Sequence, residues 1–324
     1  MKIVLDLDGI AKYYSLPENV YQALKARHPE HEIVRITDCE DCTDADLWVC
    51  WSIKSEVFGK LKHLRAIIYA TDGMGKHRLF PEIIESDVII CNSRGCRSQT
   101  IAEHAFALIL ACSKKLVPLM DSVNKEGWWG LKAIESGQQP MTIQGKTFGI
   151  LGLGEIGSRI AKIGKLGFGM NTLGLRRNPK STEFVDQVFG MDELQDLLSK
   201  SDIIAVALPD TAETSHLLDD EMIGHIKDGA ILVNISRGNI IGTESLISAI
   251  KSGKIASAGL DVFETEPLPE DSPLRQMKEI IMTPHAAGSG ADFWPCFAEI
   301  VSSNIKNLEA GKPLINVVDK RFGY

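Results

Sequence analysis

Three short segments each carry one side chain suited to chemistry at a polarised carbonyl. Val233-Asn-Ile-Ser-Arg-Gly238 presents a guanidinium at Arg237, Leu260-Asp-Val-Phe-Glu-Thr-Glu-Pro267 a carboxylate at Glu266, and Met282-Thr-Pro-His-Ala-Ala-Gly288 an imidazole at His285. An arginine fork pairs with a carboxylate and also places positive charge where an oxygen gains negative charge. An imidazole can hand that oxygen a proton, and a neighbouring carboxylate favours the protonated ring. Together the three groups suit reduction of a 2-oxo acid: Arg237 anchors the substrate carboxylate, and His285, paired with Glu266, protonates the keto oxygen as hydride arrives. In the reverse direction the same histidine is the base.

Hydride needs a carrier. The strand-like Lys146-Thr-Phe-Gly-Ile-Leu151 runs directly into Gly152-Leu-Gly-Glu-Ile-Gly157, and Ser158-Arg-Ile-Ala-Lys-Ile163 continues as a helix. A GxGxxG run alone is weak evidence. Between a strand and a helix it permits a tight turn and close approach of a pyrophosphate to the helix N-terminus. Gly152, Gly154, Glu155, Ile156 and Gly157 are therefore candidate cofactor contacts. A second cluster, Gly164, Gly167 and Gly169, follows helix rather than strand and reads as a helix exit. About 20 residues past the glycines, an NAD-binding unit carries an acid for the ribose hydroxyls. Here Thr172-Leu-Gly-Leu175 is followed by Arg176 and Arg177. Arginine binds a 2′-phosphate with charge-assisted bonds, which points to NADP (NADPH), with NAD less preferred.

These groups must be positioned by alternating strands and helices. Lys2–Leu5, Glu32–Ile36, Leu47–Trp51, Arg65–Tyr69 and Val88–Cys91 read as buried strands, with a helix opened by Pro17 and running to about Arg27. A second series is predicted near 147–151, 171–175, 202–208, 230–235, 256–262 and 280–283. The alternation implies α/β architecture with open parallel sheets. A helix over about 100–116 is apolar nearly all round and belongs in a domain or subunit interface. Gly127-Trp-Trp-Gly130 and Ser136–Pro140 break the pattern, and a last helix runs from about Ala291 to Glu309 before Gly311 and Pro313.

The chain has 324 residues, 44% hydrophobic and 24% charged, enough for about two domains. A net charge of -8 disfavours nucleic acid and anionic membrane as partners, so an anion must be captured locally. Asp6 and Asp8 interrupt what would be the core of a secretory signal, and the apolar run Ala105–Cys112 is too short to span a bilayer; a cytoplasmic protein is expected. Seven cysteines, an odd number, suggest reduced thiols. Cys39-Glu-Asp-Cys42 lacks a second CxxC or a clustered histidine to complete a zinc set. It reads as a solvated acidic loop rather than a redox or metal site, so no metal is expected.

GLGEIG, Val206-Ala-Leu-Pro209 with Thr214, NISRG, LDVFETEP and TPHAAG follow in an order and spacing that resembles the D-isomer-specific 2-hydroxyacid dehydrogenases, of the glyoxylate and hydroxypyruvate reductase branch, over nearly the whole chain. The resemblance implies two doubly wound parallel-sheet domains. A flavodoxin-like substrate domain would comprise residues 1–98 and 289–324, and an inserted Rossmann nucleotide-binding domain residues 99–288, with hinges near Ser98 and Gly288 and domain closure that excludes water. It implies a homodimer through the 100–116 region. It assigns Arg237 as substrate anchor, Glu266 and His285 as the acid/base pair, Pro209 and Thr214 to the cofactor, and Asp261 to the nicotinamide amide. Ala70–His77 matches the family's glycine loop, with Met74, Gly75 and Lys76 as substrate contacts, although Lys76 and His77 replace the usual valine and aspartate.

Other readings have weaker support. His104 beside Glu103 reads as a core or interface histidine, because adjacent helix residues face different ways. Trp128, Trp129 and Trp294 either line the substrate site or simply pack. Asp6-Leu-Asp-Gly9 resembles the first motif of haloacid-dehalogenase-type phosphatases, but Ile10 departs from it and the rest of the chain follows another family. A dinucleotide-sensing corepressor shares the fold and would bind NADPH without turnover. Formate dehydrogenases share it too, but hydride abstraction from formate needs no acid/base pair, which sets Glu266 against that reading.

Overall fold

Alternation along the strands builds two-sided sheets. The computed structural model describes residues 1–8, 14–74, 78–126 and 139–321, and the chain divides into two compact units, Met1–Arg97 with Gly290–Tyr324, and Ser98–Ser289. In the first unit, β1 (Lys2–Asp6), β2 (Glu32–Arg35), β3 (Leu47–Cys50), β4 (Ala66–Tyr69) and β5 (Ile89–Asn92) form a parallel sheet in the order β2-β1-β3-β4-β5. Its helices are α1 (Glu18–Arg27), α2 (Ser55–Phe58), α3 (Pro81–Glu85) and, from the far end of the chain, α10 (Phe293–Glu309). Ile3, Leu5, Leu47, Val49 and Ile68 face one cluster with Tyr21 and Leu24 of α1 and Phe297, Val301 and Ile305 of α10. Val4, Trp48, Cys50, Ile67 and Tyr69 face the other. Burying each such aliphatic side chain is worth about 1.5–3 kcal/mol as an upper figure.

The second unit contains β6 (Thr147–Leu151), β7 (Asn171–Leu175), β8 (Gln187–Phe189), β9 (Ile203–Val206), β10 (Ala230–Asn234), β11 (Ile255–Leu260) and β12 (Ile280–Met282). The sheet is parallel, in the order β12-β11-β10-β9-β6-β7-β8, with the strand order reversing between β6 and β9. Here α4 (Ser98–Ser113) and α6 (Glu155–Phe168) cover one face, while α7 (Leu194–Lys200), α8 (Asp220–Gly224) and α9 (Thr243–Lys251) cover the other. Ile101, Ala105, Phe106, Leu108 and Ile109 of α4 are buried within their own unit. The next helix, α5 (Leu116–Glu126), instead exposes Leu116, Val117, Met120 and Val123.

The doubly wound class is as expected, and several expected details change. Ile36 opens a 3-10 turn rather than ending β2, and Pro17 is the N-cap of α1 rather than its first residue. α6 passes through Gly164 and Gly167 and exits at Gly169, whose φ of 58° caps it in the left-handed conformation. The expected breaks at 127–130 and 136–138 lie outside the described residues. The cysteines depart from the reduced-thiol reading: Cys39 pairs with Cys42 and Cys96 with Cys296 as disulfides, leaving Cys50, Cys91 and Cys112 as buried thiols. Odd arithmetic and overall composition carry no information on which sulfurs the fold brings together. Among the described residues, no helix is long and apolar enough to cross a membrane.

Candidate active site

Strand register brings the chemical groups to one sheet edge. Leu260 on β11 is in register with Asn234 on β10 and with Met282 on β12. Neighbouring strands lie about 4.8 Å apart, so Arg237 and His285, each three residues beyond that row, flank Asp261 at the carboxyl end of the sheet. This is where open α/β sheets bind ligands. Asn234, 1% exposed, shapes the turn after β10. Its Oδ1 accepts from the Ser236 backbone N–H (3.1 Å) and hydroxyl (2.9 Å), and its Nδ2 donates to the Arg237 carbonyl at 2.9 Å. Arg237 is consequently carried to the surface, with Nη1 donating to the Ser236 carbonyl at 2.6 Å. A Cβ at Gly238 would collide with the Phe263 backbone, so the Arg237 turn lies directly against the loop bearing Glu266.

Glu266 uses its two oxygens differently. Oε1 accepts the Phe263 backbone N–H at 3.0 Å, which fixes the carboxylate, and Oε2 lies 2.7 Å from His285 Nδ1. A ring nitrogen facing a carboxylate carries the hydrogen, which leaves Nε2 as the ring nitrogen able to exchange a proton. The His285 side chain is 50% exposed and that of Glu266 35%, so the pair is reachable from solvent.

The loop carrying His285 is built around a buried charge. Asp261 is 1% exposed. Its Oδ1 accepts from the Thr283 hydroxyl at 2.5 Å and the Ala286 N–H at 2.8 Å, and its Oδ2 from the Ala287 N–H at 2.9 Å. The His285 N–H donates to the Asp261 carbonyl at 2.8 Å. Successive N–H groups cupped around an anion account for the left-handed backbone of His285, φ 51°. Since Thr283 spends its hydrogen on Asp261, its oxygen accepts from His104 Nε2 at 2.9 Å, and that nitrogen lies 3.7 Å from Asp261 Oδ1. His104 therefore supports the His285 loop, a role that adjacency to Glu103 did not reveal. The resemblance assigns Asp261 to the cofactor; within the fold its carboxylate organises this loop.

The glycine loop leaves β6 as the spacing requires. Gly152 has φ 105°, and a Cβ there would stand 2.6 Å from the Ala207 carbonyl oxygen. A Cβ at Gly157 would strike the Gly152 carbonyl, whereas one at Gly154 would meet no atom within 4 Å. Gly152 and Gly157 thus shape the turn, and Gly154, the N-cap of α6, leaves room for a ligand. Glu155 and Ile156 open α6; Ile156 packs on the core. The Leu175 carbonyl accepts from the N–H groups of both Gly152 and Leu153, at 3.0 and 3.2 Å, which sets Arg176 at the loop's flank. Arg177 pairs with Glu213 at 2.7 Å. Beyond β9, on the other side of the strand-order reversal, the Thr214 hydroxyl donates to the Pro209 carbonyl at 2.6 Å and accepts the Thr211 N–H at 2.9 Å. It is 5% exposed and fixes this turn.

In the first unit, the segment after β4 is held by Asp72, whose Oδ1 accepts from the Ser93 hydroxyl at 2.6 Å and whose carbonyl accepts from Asn92 Nδ2 at 2.9 Å. Met74 packs partly buried beside the Trp48 and Tyr69 cluster. Gly75, Lys76 and His77 lie outside the described residues, as do Trp128 and Trp129. Trp294 is 9% exposed among Trp51, Phe293 and Phe297, the packing alternative of the two considered. Asp8, in the phosphatase-like stretch, is paired with Arg35 at 3.1 Å.

Comparison with known proteins follows the same lines. The family model described as D-isomer specific 2-hydroxyacid dehydrogenase, NAD binding domain, matches residues 106–287. The glyoxylate reductase of Thermococcus gammatolerans is 34% identical over 322 residues, covering 93% of this chain and 94% of that one. That of Korarchaeum cryptofilum is 33% identical over 300 residues, covering 91% and 88%. The crystal structure of a D-isomer specific 2-hydroxyacid dehydrogenase from Xanthobacter autotrophicus Py2, in complex with NADPH and MES, superposes with a TM-score of 0.84 at 29% identity, covering 100% of this chain and 99% of that one. The chain belongs to the D-isomer specific 2-hydroxyacid dehydrogenase family, and is with it an NAD(P)-dependent oxidoreductase.

Proposed function

We propose that the chain reduces a small 2-oxo acid of the glyoxylate or hydroxypyruvate kind to the D-2-hydroxy acid, with NADPH as the preferred hydride donor. The observation that carries this reading is the Glu266–His285 pair, 2.7 Å apart, on the sheet edge that also bears Arg237. The glyoxylate reductases and the NADPH-bound relative support the substrate and donor classes. The reduced coenzyme supplies hydride to the keto carbon when bound. Arg237 holds the substrate carboxylate and offsets charge growing on the keto oxygen. His285 releases its Nε2 proton to that oxygen, and Glu266 stabilises the imidazolium before transfer and fixes the ring. Residues 99–288 carry the coenzyme in this reading, and residues 1–98 with 289–324 supply the remaining substrate contacts, including the Met74, Gly75 and Lys76 loop.

The cradle suits the coenzyme: Gly154 leaves open space at the N-terminus of α6 for the pyrophosphate, and Arg176 flanks it for the 2′-phosphate. A charged hydrogen bond of about 1.5–3 kcal/mol corresponds to a preference of roughly ten- to a hundredfold. Arg176→Asp should therefore reverse or abolish the ratio of kcat/KM on NADPH to that on NADH, and an unchanged ratio would remove Arg176 from the assignment. The reaction itself is tested by following NADPH oxidation over a panel of 2-oxo acids. Turnover on glyoxylate or hydroxypyruvate supports the proposal; tight NADPH binding with no turnover on any of them would favour the corepressor-like alternative.

The apolar stripe Leu116, Val117, Met120 and Val123 on α5 supports a homodimer, adjoining the 100–116 segment first expected to form the contact. Met120→Glu should shift the chain to monomer in sedimentation, and a variant that sediments like the parent would move the interface elsewhere.

A further inference from the structure

A second cluster of chemistry-bearing side chains lies in the first unit, where α1 and α10 both end. His28 is the C-cap of α1, Glu30 and His31 follow it, and Glu309 is the last residue of α10. The His31 side chain is 4% exposed, yet among the described residues neither of its ring nitrogens has a hydrogen-bond partner. Its Nε2 faces two carboxylates, Glu30 Oε1 at 3.5 Å and Glu309 Oε2 at 3.6 Å. His28, 1% exposed, has Nε2 on the Ser302 hydroxyl at 2.8 Å and directs Nδ1 toward Glu30 Oε1 at 3.7 Å. Each of these gaps exceeds a hydrogen bond. Leaving buried imidazole nitrogens unpaired beside carboxylates is costly unless something bridges them.

We propose that His28 Nδ1, Glu30, His31 Nε2 and Glu309 bind one divalent transition-metal ion of the zinc class. The metal-facing atoms of His28, Glu30 and His31 all lie within 4.8 Å of one another. Tetrahedral coordination at about 2.0–2.2 Å sets ligand atoms roughly 3.4 Å apart, close to the 3.5–3.7 Å from Glu30 to each histidine and from His31 to Glu309; Glu309, half-exposed, closes on the other ligands by turning its side chain. Ser302 holds the second nitrogen of His28, as an outer partner orients a ligating ring. The two carboxylates balance the ion's charge, and the carboxyl ends of two helices favour a cation. The sequence alone hid the set, because Glu309 is remote from the His-Pro-Glu-His run. Bound there, the ion ties the first helix of this unit to its last.

Chelator-stripped, untagged protein should take up one equivalent of Zn2+ per chain in equilibrium dialysis and melt several degrees higher with the metal than without it. Co2+ in its place should show the visible absorption of a low-coordinate nitrogen and oxygen site. His31→Gln should abolish the tight equivalent. Glu309→Gln, at an exposed carboxylate that leaves the fold intact, should weaken binding at least tenfold. Cys39→Ser with Cys42→Ser should leave it unchanged. The proposal is overturned if no stoichiometric ion binds, if the equivalent survives both the His31 and Glu309 variants, or if it is lost with the cysteines. None of these readouts depends on turnover.

Discussion

At the scale of single residues, the proposed site separates groups that would meet substrate from groups that hold them. Arg237 and His285 are of the first kind in that reading and Glu266 holds His285; all three were legible in the sequence, because each sits in a short motif whose residue types state their chemistry. His104 and Thr283 also belong to the second kind. They are 179 positions apart and meet only through the packing of α4 on the sheet, so no local pattern could join them. Glu266→Gln keeps a hydrogen-bond acceptor for His285 but removes the charge that stabilises imidazolium. It should lower kcat by roughly 10²-fold, with KM for the 2-oxo acid less affected, within the range for lost acid/base catalysis. An unchanged kcat would detach Glu266 from the proton transfer. Asp261→Asn is a positioning test: an amide can satisfy the two N–H groups and the Thr283 hydroxyl with only one oxygen. Leaving one buried donor unpaired costs about 1–3 kcal/mol, visible in urea unfolding, and kcat should fall as the His285 loop loosens. Full stability with full activity in that variant would show that the loop does not need its central charge.

At the scale of elements, the glycine loop tests which positions serve the fold and which serve a ligand. Gly157 abuts the Gly152 carbonyl, so Gly157→Ala must distort the turn and should destabilise the second unit by about 3 kcal/mol. Gly154→Ala adds its methyl to open space at an ordinary φ of -85°. Its melting temperature should match the parent's, while the Kd for NADPH, measured by fluorescence titration, rises at least tenfold; equal affinity would place the pyrophosphate elsewhere. Strands were readable wherever apolar runs were long enough to be buried on both faces, as at Ala230–Asn234. β8 was missed because three residues with an exposed Gln187 leave too little pattern. The helix expected to end near 116 does end there, at Ser113, and the chain turns at Lys115 with φ 53°; α5 beyond it was missed for a different reason, because Pro118 near its start reads as a break although proline is tolerated in a first turn.

At the scale of the whole molecule, the order of motifs along the chain announced two parallel sheets, but the Cys96–Cys296 pairing and the α1–α10 cluster depend on the return of the last helix to the first unit, which no periodicity encodes. Long-range polar ties of this sort also govern the response to acid. Asp202, just before β9, joins three strand starts of the second unit: Oδ2 accepts the Thr147 N–H at 2.8 Å and Oδ1 accepts Lys227 Nζ at 3.0 Å, next to β10. Burial pushes its carboxyl up, but the Thr147 N–H and Lys227 outweigh that and hold it below the ordinary aspartate value of 3.8. A carboxyl lowered on folding contributes stability that is whole above its unfolded value and is lost as the pH falls through the lower folded one. Asp202→Asn should thus destabilise the protein by about 1–2 kcal/mol at pH 7 in urea unfolding. The gap between parent and variant should then close as the pH falls below about 3.8, because the parent's own carboxyl becomes neutral there. A gap of the same size at both ends would mean that hydrogen-bond shape rather than ionised charge ties these strands together.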